Sequence, residues 1–331
     1  MKTCTNCYSP ILNEEDVVLS VVDHSPMHKE CANKCPNCGS YLTDLQFARQ
    51  KCKCVTQRKF SIDVIRRSHL ELYKQCHHAF YLECIKGIEP ENNAYALHGI
   101  ILHEIFDKYS KQQHLTKEIL SQAFEERYKK NVSIDNFSFK ENKKLYDELY
   151  EKGFRAIDGF LAFYHSVGMP FITEENIVFS VDDDLPQISI TMDRVDKDEN
   201  GYLHMYDYKC GKTFVGKKLS EDLQVPLYCY AMFKKYGQYP KSFTFLFVSE
   251  GNERRYELVD EVNPTYCCKV RNKEYVINVE TRLQEAKDIL KAIKKEQFKG
   301  MCSNFWYCSN MCYYKKAGKC NGAENNIWNI Q

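Results

Sequence analysis

Ser189-Ile-Thr-Met-Asp193-Arg-Val-Asp-Lys-Asp-Glu-Asn-Gly-Tyr-Leu-His-Met-Tyr-Asp207-Tyr-Lys209-Cys-Gly-Lys212 reads as two β-strands joined by a tight turn. Ile188, Ile190 and Met192 alternate with Ser189, Thr191 and Asp193, the period-2 signature of a strand with one buried face. In the second arm Asp207 and Lys209 share a face, roughly 7 Å apart along the chain. The turn decides whether the two arms cooperate. A two-residue Asn200-Gly201 loop sets Asp193 opposite Tyr208, on the wrong face. A three-residue Glu199-Asn200-Gly201 loop, with Gly201 left-handed, sets Asp193 opposite Asp207 and gathers two carboxylates and a lysine. The second register is expected; without it the stretch is a polar hairpin with solvated charges.

The 331 residues suffice for a sizeable core and two or three domains. No run of about 18 apolar residues is present to span a membrane, and Met1-Lys-Thr-Cys4 lacks the apolar core of a secretory signal. A reducing, cytoplasmic setting is therefore expected, where 17 cysteines argue for metals rather than disulfides. The net charge of +1 carries no global nucleic-acid signal, so a DNA-binding surface must be a local basic patch.

Seven cysteines precede Phe60 and four follow Met301. In the first group, Cys4-x2-Cys7, His28-x2-Cys31, Cys35-x2-Cys38 and Cys52-x-Cys54 supply eight ligands, enough for two tetrahedral Zn²⁺ sites. The expected pairing is Cys4, Cys7, His28, Cys31 and then Cys35, Cys38, Cys52, Cys54, an order that resembles a LIM-type double zinc module. A ribbon-like pairing fits the same spacings. Residues 1–58 form this module, and 59–331 form the second domain. Lys51 to Arg67, with Arg58, Lys59, Arg66 and Arg67, reads as a basic link between the two.

Beyond it, helices are expected from Ser68, as N-cap, to Cys84, over Ala94 to about Gln113, over Leu115–Lys130, over Lys140–Val167 and over Leu219–Lys235. A long helix is expected from Cys268 to Gln297. Strands are expected around Ile172–Val181, Gln187–Asp193, Ser242–Val248 and Arg254–Val259. Gly99 and His103 share one side of their helix, and Gln224 and Tyr228 form an i,i+4 pair. The tail closes with Cys302-x5-Cys308-x3-Cys312-x7-Cys320, thiols among aromatics that suit zinc or an iron–sulfur cluster.

Taken in order, Ser68-x4-Tyr73-x2-Cys76-x3-Phe80-Tyr81, Gly99-x3-His103, Asp193-Arg-x-Asp196, Asp207-Tyr-Lys209-x-Gly211-Lys212, Gln224-x3-Tyr228 and the closing Cys308, Cys312 and Cys320 resemble the RecB/AddB-like branch of the PD-(D/E)XK nuclease superfamily. That branch includes iron–sulfur exonucleases related to the CRISPR-adaptation nucleases. The resemblance implies an α/β fold: a restriction-endonuclease-like core, with a mixed central sheet flanked by helices and a helical insertion. It implies Mg²⁺ or Mn²⁺ held by His103, Asp193, Asp207 and the Tyr208 carbonyl. It makes Lys209 the catalytic lysine, places Gln224 and Tyr228 beside the site, and gives a [4Fe–4S] cluster to Cys76, Cys308, Cys312 and Cys320. His77 stands where the family has proline and Ile190 where it commonly has glycine. The tail spacing is looser than usual and leaves room for Cys302 as a ligand.

The function implied is a metal-dependent deoxyribonuclease, an exonuclease on single-stranded DNA or DNA ends. A helicase or recombination protein would be a separate chain. Arg194, Lys212, Lys217 and Lys218 are candidates to track the phosphate backbone, Tyr206 and Tyr228 to stack on bases, and Glu175 to sit outside the metal ligands. The competing functions are a non-catalytic zinc and iron–sulfur DNA-binding adaptor, and an RNA-directed nuclease.

Overall fold

The computed structural model describes residues 2–7, 10–20, 22, 24–34, 40–43, 62–91, 93–112, 115–133, 142–298, 308–309 and 312–320. The chain forms two units, Met1–Ile62 with Ile85–Gly87, and Asp63–Cys84 with Ile88–Gln331.

The first unit contains short antiparallel pairs: Lys2–Thr3 with Pro10–Ile11, Val17–Leu19 with Pro26–His28, and Asn33–Lys34 with Tyr41–Leu42. Its buried apolar cluster is Cys4, Ile11 and Met27, with Val17, Val18 and Tyr41 packed against it. So small a core needs a cross-link to hold.

The second unit is built on an eight-stranded mixed sheet. Its strands are β1 (Val64–Arg66), β2 (Ile172–Phe179), β3 (Gln187–Lys197), β4 (Leu203–Tyr208), β5 (Ser242–Phe247), β6 (Asn252–Asp260), β7 (Thr265–Val270) and β8 (Lys273–Asn278). The spatial order is β8-β7-β6-β5-β4-β3-β1, with β2 also on β3. The β4/β5 and β1/β3 pairs are parallel and the others antiparallel. On β5 both faces are covered, since Phe243, Phe245 and Phe247 on one side and Ser242 and Thr244 on the other are all fully buried.

A strand has two edges, and β3 has three partners. β2 runs along one edge from Ile188 to Val195. β4 takes Arg194 to Lys197 and β1 takes Gln187 to Ser189, so these two share the other edge and approach each other end to end. Between them, among the described residues, residues 190–193 of β3 have no strand partner on that side. The candidate site lies at this gap.

Helix α1 (Arg67–Gln75) leaves β1 at the gap. Helices α2 (Ala94–Ser110), α3 (Lys117–Asn131) and α4 (Asn142–Val167) form an insertion with its own apolar core, in which Phe106 stacks on Phe160 at 4.1 Å. The ring of Tyr208, at the end of β4, packs edge-on against both, 5.6 and 5.3 Å away, and thereby ties the sheet to the insertion. Gly159 of α4 passes so close to the Val248 carbonyl that a Cβ would overlap it. Helix α5 (Gln224–Tyr236) carries the chain from β4 to β5, and α6 (Val279–Lys294) follows β8.

Three expectations about elements are corrected. The long helix from Cys268 is a hairpin followed by a shorter helix: Val270 pairs with Lys273 across an Arg271-Asn272 turn, with Arg271 at φ +55°. The Leu219–Lys235 helix is split into Lys218–Glu221 and α5. Pro226 explains the break, because its ring excludes helix through the preceding turn but suits a first turn. Ser68 is not the cap of α1; Arg66 occupies that position, and Ser68 lies in the first turn.

After α6 the chain returns to α1. The Tyr73 hydroxyl donates to the Gln297 carbonyl at 2.6 Å, and Phe298 stacks on Phe80 at 5.9 Å. The Tyr314 hydroxyl lies 2.9 Å from Glu83 Oε2 and 3.1 Å from the Ile88 carbonyl. Among the described residues no helix is long and apolar enough to cross a membrane.

Candidate active site and thiol clusters

The turn between β3 and β4 has three residues. Asp198 and Tyr202 close it through an N–H to O=C bond of 3.0 Å, and Gly201 sits at φ +84°. The Asp198 carboxylate accepts from the backbone of Asn200 and Tyr202 at 2.9 and 2.8 Å, which fixes the turn. The ladder pairs Arg194 with Tyr206, and its next position sets Asp193 opposite Asp207. Here the backbone of β4 is captured by a side chain, for Tyr208 N–H donates to Asp193 Oδ2 at 2.7 Å.

His103 reaches the same carboxylate from α2, its Nδ1 3.4 Å from Asp193 Oδ2. Burial opposes charge on the imidazole, but Asp193, with Asp207 behind it, prevails and raises the His103 pKa to about 9. Asp193 moves the other way: burial opposes its charge, while His103, Lys209 and the Tyr208 N–H hold its pKa below the ordinary value.

A third group joins them from β2. Glu174, at φ +46°, stands at the register position opposite Asp193. The ligand atoms of His103, Glu174 and Asp193 all lie within 4.8 Å of one another. Burial, then repulsion from Asp193, lifts the Glu174 pKa to about 7. One imidazole and two crowded carboxylates form a donor set that fits a divalent cation such as Mg²⁺ or Mn²⁺. Glu174 was missed in the sequence, where Glu175 stood as the candidate. Glu175 turns the other way and is engaged by Lys235 and, at 2.7 Å, by the Tyr236 hydroxyl. No tight turn links β2 to β3, so their register has no local sequence signal.

Asp207 is held on the opposite side of Asp193. It is 4% exposed; Gln224 Nε2 donates to its Oδ1, and Lys209 Nζ lies 2.5 Å from its Oδ2, off the line of a good hydrogen bond. Lys209 Nζ donates to Gln224 Oε1 at 3.0 Å, so one amide bridges acid and lysine. Burial, reinforced by Asp193, raises the Asp207 pKa. Gln224 is in place because α5 begins there, with its backbone N–H donating to Asp222 Oδ1 at 2.6 Å.

Three residues proposed for nucleic-acid contact are engaged inside the fold. Arg194 is fully buried; it pairs with Asp196 at 2.8 Å, donates to the Gly168 carbonyl at 2.8 Å and lies 5.1 Å from the Phe163 ring centroid. It is a strut between β3 and α4 and does not reach a ligand outside. Tyr228 is buried with its ring edge-on to Phe243, and half-buried Tyr206 packs on Phe163 at 4.8 Å. Lys212 and Lys217 are exposed in the loop after β4, while Lys218 rests its ammonium 3.7 Å from the Phe214 ring centroid. Arg67 stands near Asp207: burial opposes its charge, but Tyr228, Asp222, Asp207 and Glu71 prevail and raise its pKa. A cavity of about 440 Å³ adjoins the acidic side, lined by Gly99, Ile100, His103, Glu104, Asp107 and Glu174.

In the first unit, the ligand atoms of Cys4, Cys7, His28 and Cys31 also lie within 4.8 Å of one another. Cys7 Sγ is 3.4 Å and Cys31 Sγ 3.9 Å from His28 Nδ1, and His28 N–H donates to Cys4 Sγ at 3.3 Å. Burial opposes the Cys4 thiolate, but backbone N–H groups of Cys7, His28 and Asn6 outweigh it and lower its pKa. Three sulfurs and one nitrogen at this separation fit a single tetrahedral ion. Cys35, Cys38, Cys52 and Cys54, the expected second set, lie outside the described residues, as does Cys302.

In the second unit, Cys76, Cys312 and Cys320 share one apolar cluster with Ala79, Leu82 and Tyr314. Cys308 is buried, and its charge acts on Cys312. Cys76 Sγ accepts from Ala79 N–H at 3.4 Å. Thiols gathered in apolar surroundings, with an N–H aimed at sulfur, fit an iron–sulfur cluster.

Among known proteins, the chain is similar to the crystal structure of SSO0001, at 12% identity and a TM-score of 0.33, over 82% of this chain and 95% of that one. No curated protein matches the sequence. The family model of the PD-(D/E)XK nuclease superfamily matches residues 67–317, from the first residue of α1 past Cys308 and Cys312 and short of Cys320. With that match covering most of its length, and a mixed sheet flanked by helices beneath it, the chain belongs to the PD-(D/E)XK nuclease superfamily.

Proposed function

We propose that this protein is a metal-dependent deoxyribonuclease acting on single-stranded DNA or DNA ends. One observation carries the reading: His103, Glu174 and Asp193 converge within ligand distance beside a lysine held by Asp207 and Gln224. A divalent cation held by the first three would supply Lewis-acid stabilisation of a phosphodiester and of the leaving 3′ oxygen. Asp207 lies outside this compact trio, and in this reading it holds Lys209 beside the cation. Lys209 Nζ, fixed between two acceptors, is aimed to orient the attacking water and to offset charge on the pentacovalent phosphorus. Water oxygen bonds to phosphorus, the P–O3′ bond breaks, and the 3′ oxygen leaves with a proton.

Zn²⁺ is proposed for Cys4, Cys7, His28 and Cys31, and a [4Fe–4S] cluster for Cys76, Cys308, Cys312 and Cys320. Cys76, Cys312 and Cys320 share one apolar cluster and Cys308 is buried, surroundings that suit an iron–sulfur cluster. The RecB/AddB-like branch is the subdivision that this combination favours.

The test is cleavage of labelled single-stranded, duplex, linear and circular DNA, and of RNA, with Mg²⁺ or Mn²⁺. Wild type should degrade DNA, and Lys209→Ala should lose at least a hundredfold in rate with an unchanged thermal midpoint. Parental activity in Lys209→Ala would overturn the assignment. Preference for RNA would redirect it, and no cleavage at all would favour the adaptor.

A further inference from the structure

We propose that Arg67 is a substrate-binding residue of this site, gripping the phosphate next to the one that is cut. The inference rests on the nuclease reading above and adds to it a second point of contact along the strand.

β1 runs parallel to β3 and stops at Arg66, opposite Ser189; β4 runs antiparallel to β3 and ends at Tyr208. Both lie on the same edge, so their carboxyl ends point at each other across residues 190–193. The next residue on each side is a cation, Arg67 from β1 and Lys209 from β4. Lys209 is committed to Asp207 and Gln224. Among the described residues Arg67 Nε is buried without a hydrogen-bond partner, while the guanidinium also donates to the Tyr228 hydroxyl oxygen.

Its acidic neighbours are already occupied. Asp207 accepts from Gln224 and is paired with Lys209, and Asp222 accepts from the Gln224 backbone. A buried donor left unpaired is costly, and a guanidinium fork matches the oxygens of a phosphate. Lys218 stands on the same side: burial lowers its pKa, and Lys209 and Arg67 add to the lowering. The site therefore has two unlike walls. One is acidic, with Glu104, Asp107, Glu174 and Asp193 around His103. The other carries Arg67, Lys209 and Lys218. A nucleic-acid strand crossing from one to the other sets its scissile phosphate between the carboxylates and Lys209, and a neighbouring phosphate against Arg67.

A structural role, in which Arg67 only balances Asp207, predicts a different response to neutralised phosphates. The experiment is single-turnover cleavage of an oligonucleotide that wild type cuts, with one uncharged methylphosphonate walked across the positions flanking the cut. Wild type should lose roughly ten- to hundredfold in kcat/KM at one flanking position, the size of a charge-assisted hydrogen bond. Arg67→Ala should lose as much on unmodified DNA and nothing further at that position. Arg67→Lys, which keeps the charge but not the fork, should fall between them. It carries the same cycle should Arg67→Ala lose its thermal transition. Penalties that simply add at every position, or wild-type kcat/KM in Arg67→Ala, would overturn the proposal. A wild type that cuts no nucleic acid would instead remove the nuclease reading beneath it.

Discussion

Glu174 shows how a single backbone angle sets the chemistry of a site. Its left-handed conformation, at a position opposite Asp193, delivers a second carboxylate beside His103. Its pKa of about 7 reflects burial and repulsion that a bound cation would relieve. Glu174→Gln should therefore weaken Mn²⁺ binding by roughly ten- to hundredfold in calorimetric titration, in line with the loss of one charged ligand. Glu175→Gln, one residue along but facing Lys235 and Tyr236, should leave Mn²⁺ affinity unchanged. Equal affinities for Glu174→Gln and wild type would remove Glu174 from the ligand set. The residue that was legible here was Asp193, because a hairpin with Gly201 in its turn fixes the register to Asp207. Glu174 was not, because its partner strand is joined through a seven-residue connection, Ser180–Pro186, whose sequence does not encode a register. Arg194 misled for a third reason. A charge beside a site aspartate reads as a contact for phosphate, and only the packing reveals that it is enclosed by Phe163, Asp196 and Gly168.

Elements that depend on local rules were the easiest to read. The amphipathic helices α2 to α4 lie within a few residues of their expected bounds, as do β2 and β5. The region around Cys268 failed because Tyr266, Cys267, Cys268 and Val270 carry enough apolar residues for either period, and a turn at Arg271-Asn272 lacks the glycine that marks such hairpins. Helix α4 makes a claim of its own. Gly159 lets it lie against the backbone of Val248, at the end of β5, where only hydrogen fits. Gly159→Ala should destabilise the protein by about 1–3 kcal/mol, since the obstructing group is a carbonyl rather than a flexible side chain. Urea unfolding followed by tryptophan fluorescence or circular dichroism measures this. A neutral or stabilising result, as helix propensity alone would give, would show that α4 stands farther from the sheet.

At the scale of the whole molecule, two units rely on different means of cohesion. The first has three fully buried or nearly buried apolar side chains in its described cluster, and four ligand atoms poised around one point. The second has a sheet and an insertion with extensive apolar cores. Chelation of the full chain should therefore release residues 1–62 to limited proteolysis while leaving a resistant fragment that begins near Asp63. A first unit that stays resistant in protein shown by metal analysis to carry no bound ion would refute the dependence.

The clasp between the tail and α1 has a consequence for the order of events during synthesis. Tyr314 meets Glu83 across 231 residues of chain, and Tyr73 meets Gln297 across 224. On a ribosome, α1 emerges early but the groups that hold it arrive last, after every strand of the sheet has been made. Until then Cys76, at the end of α1, has no tail thiols to meet, although the β1/β3 ladder already fixes the start of the helix. A nascent chain thus carries His103, Asp193 and Lys209 long before the loop between Glu83 and Tyr314 can close.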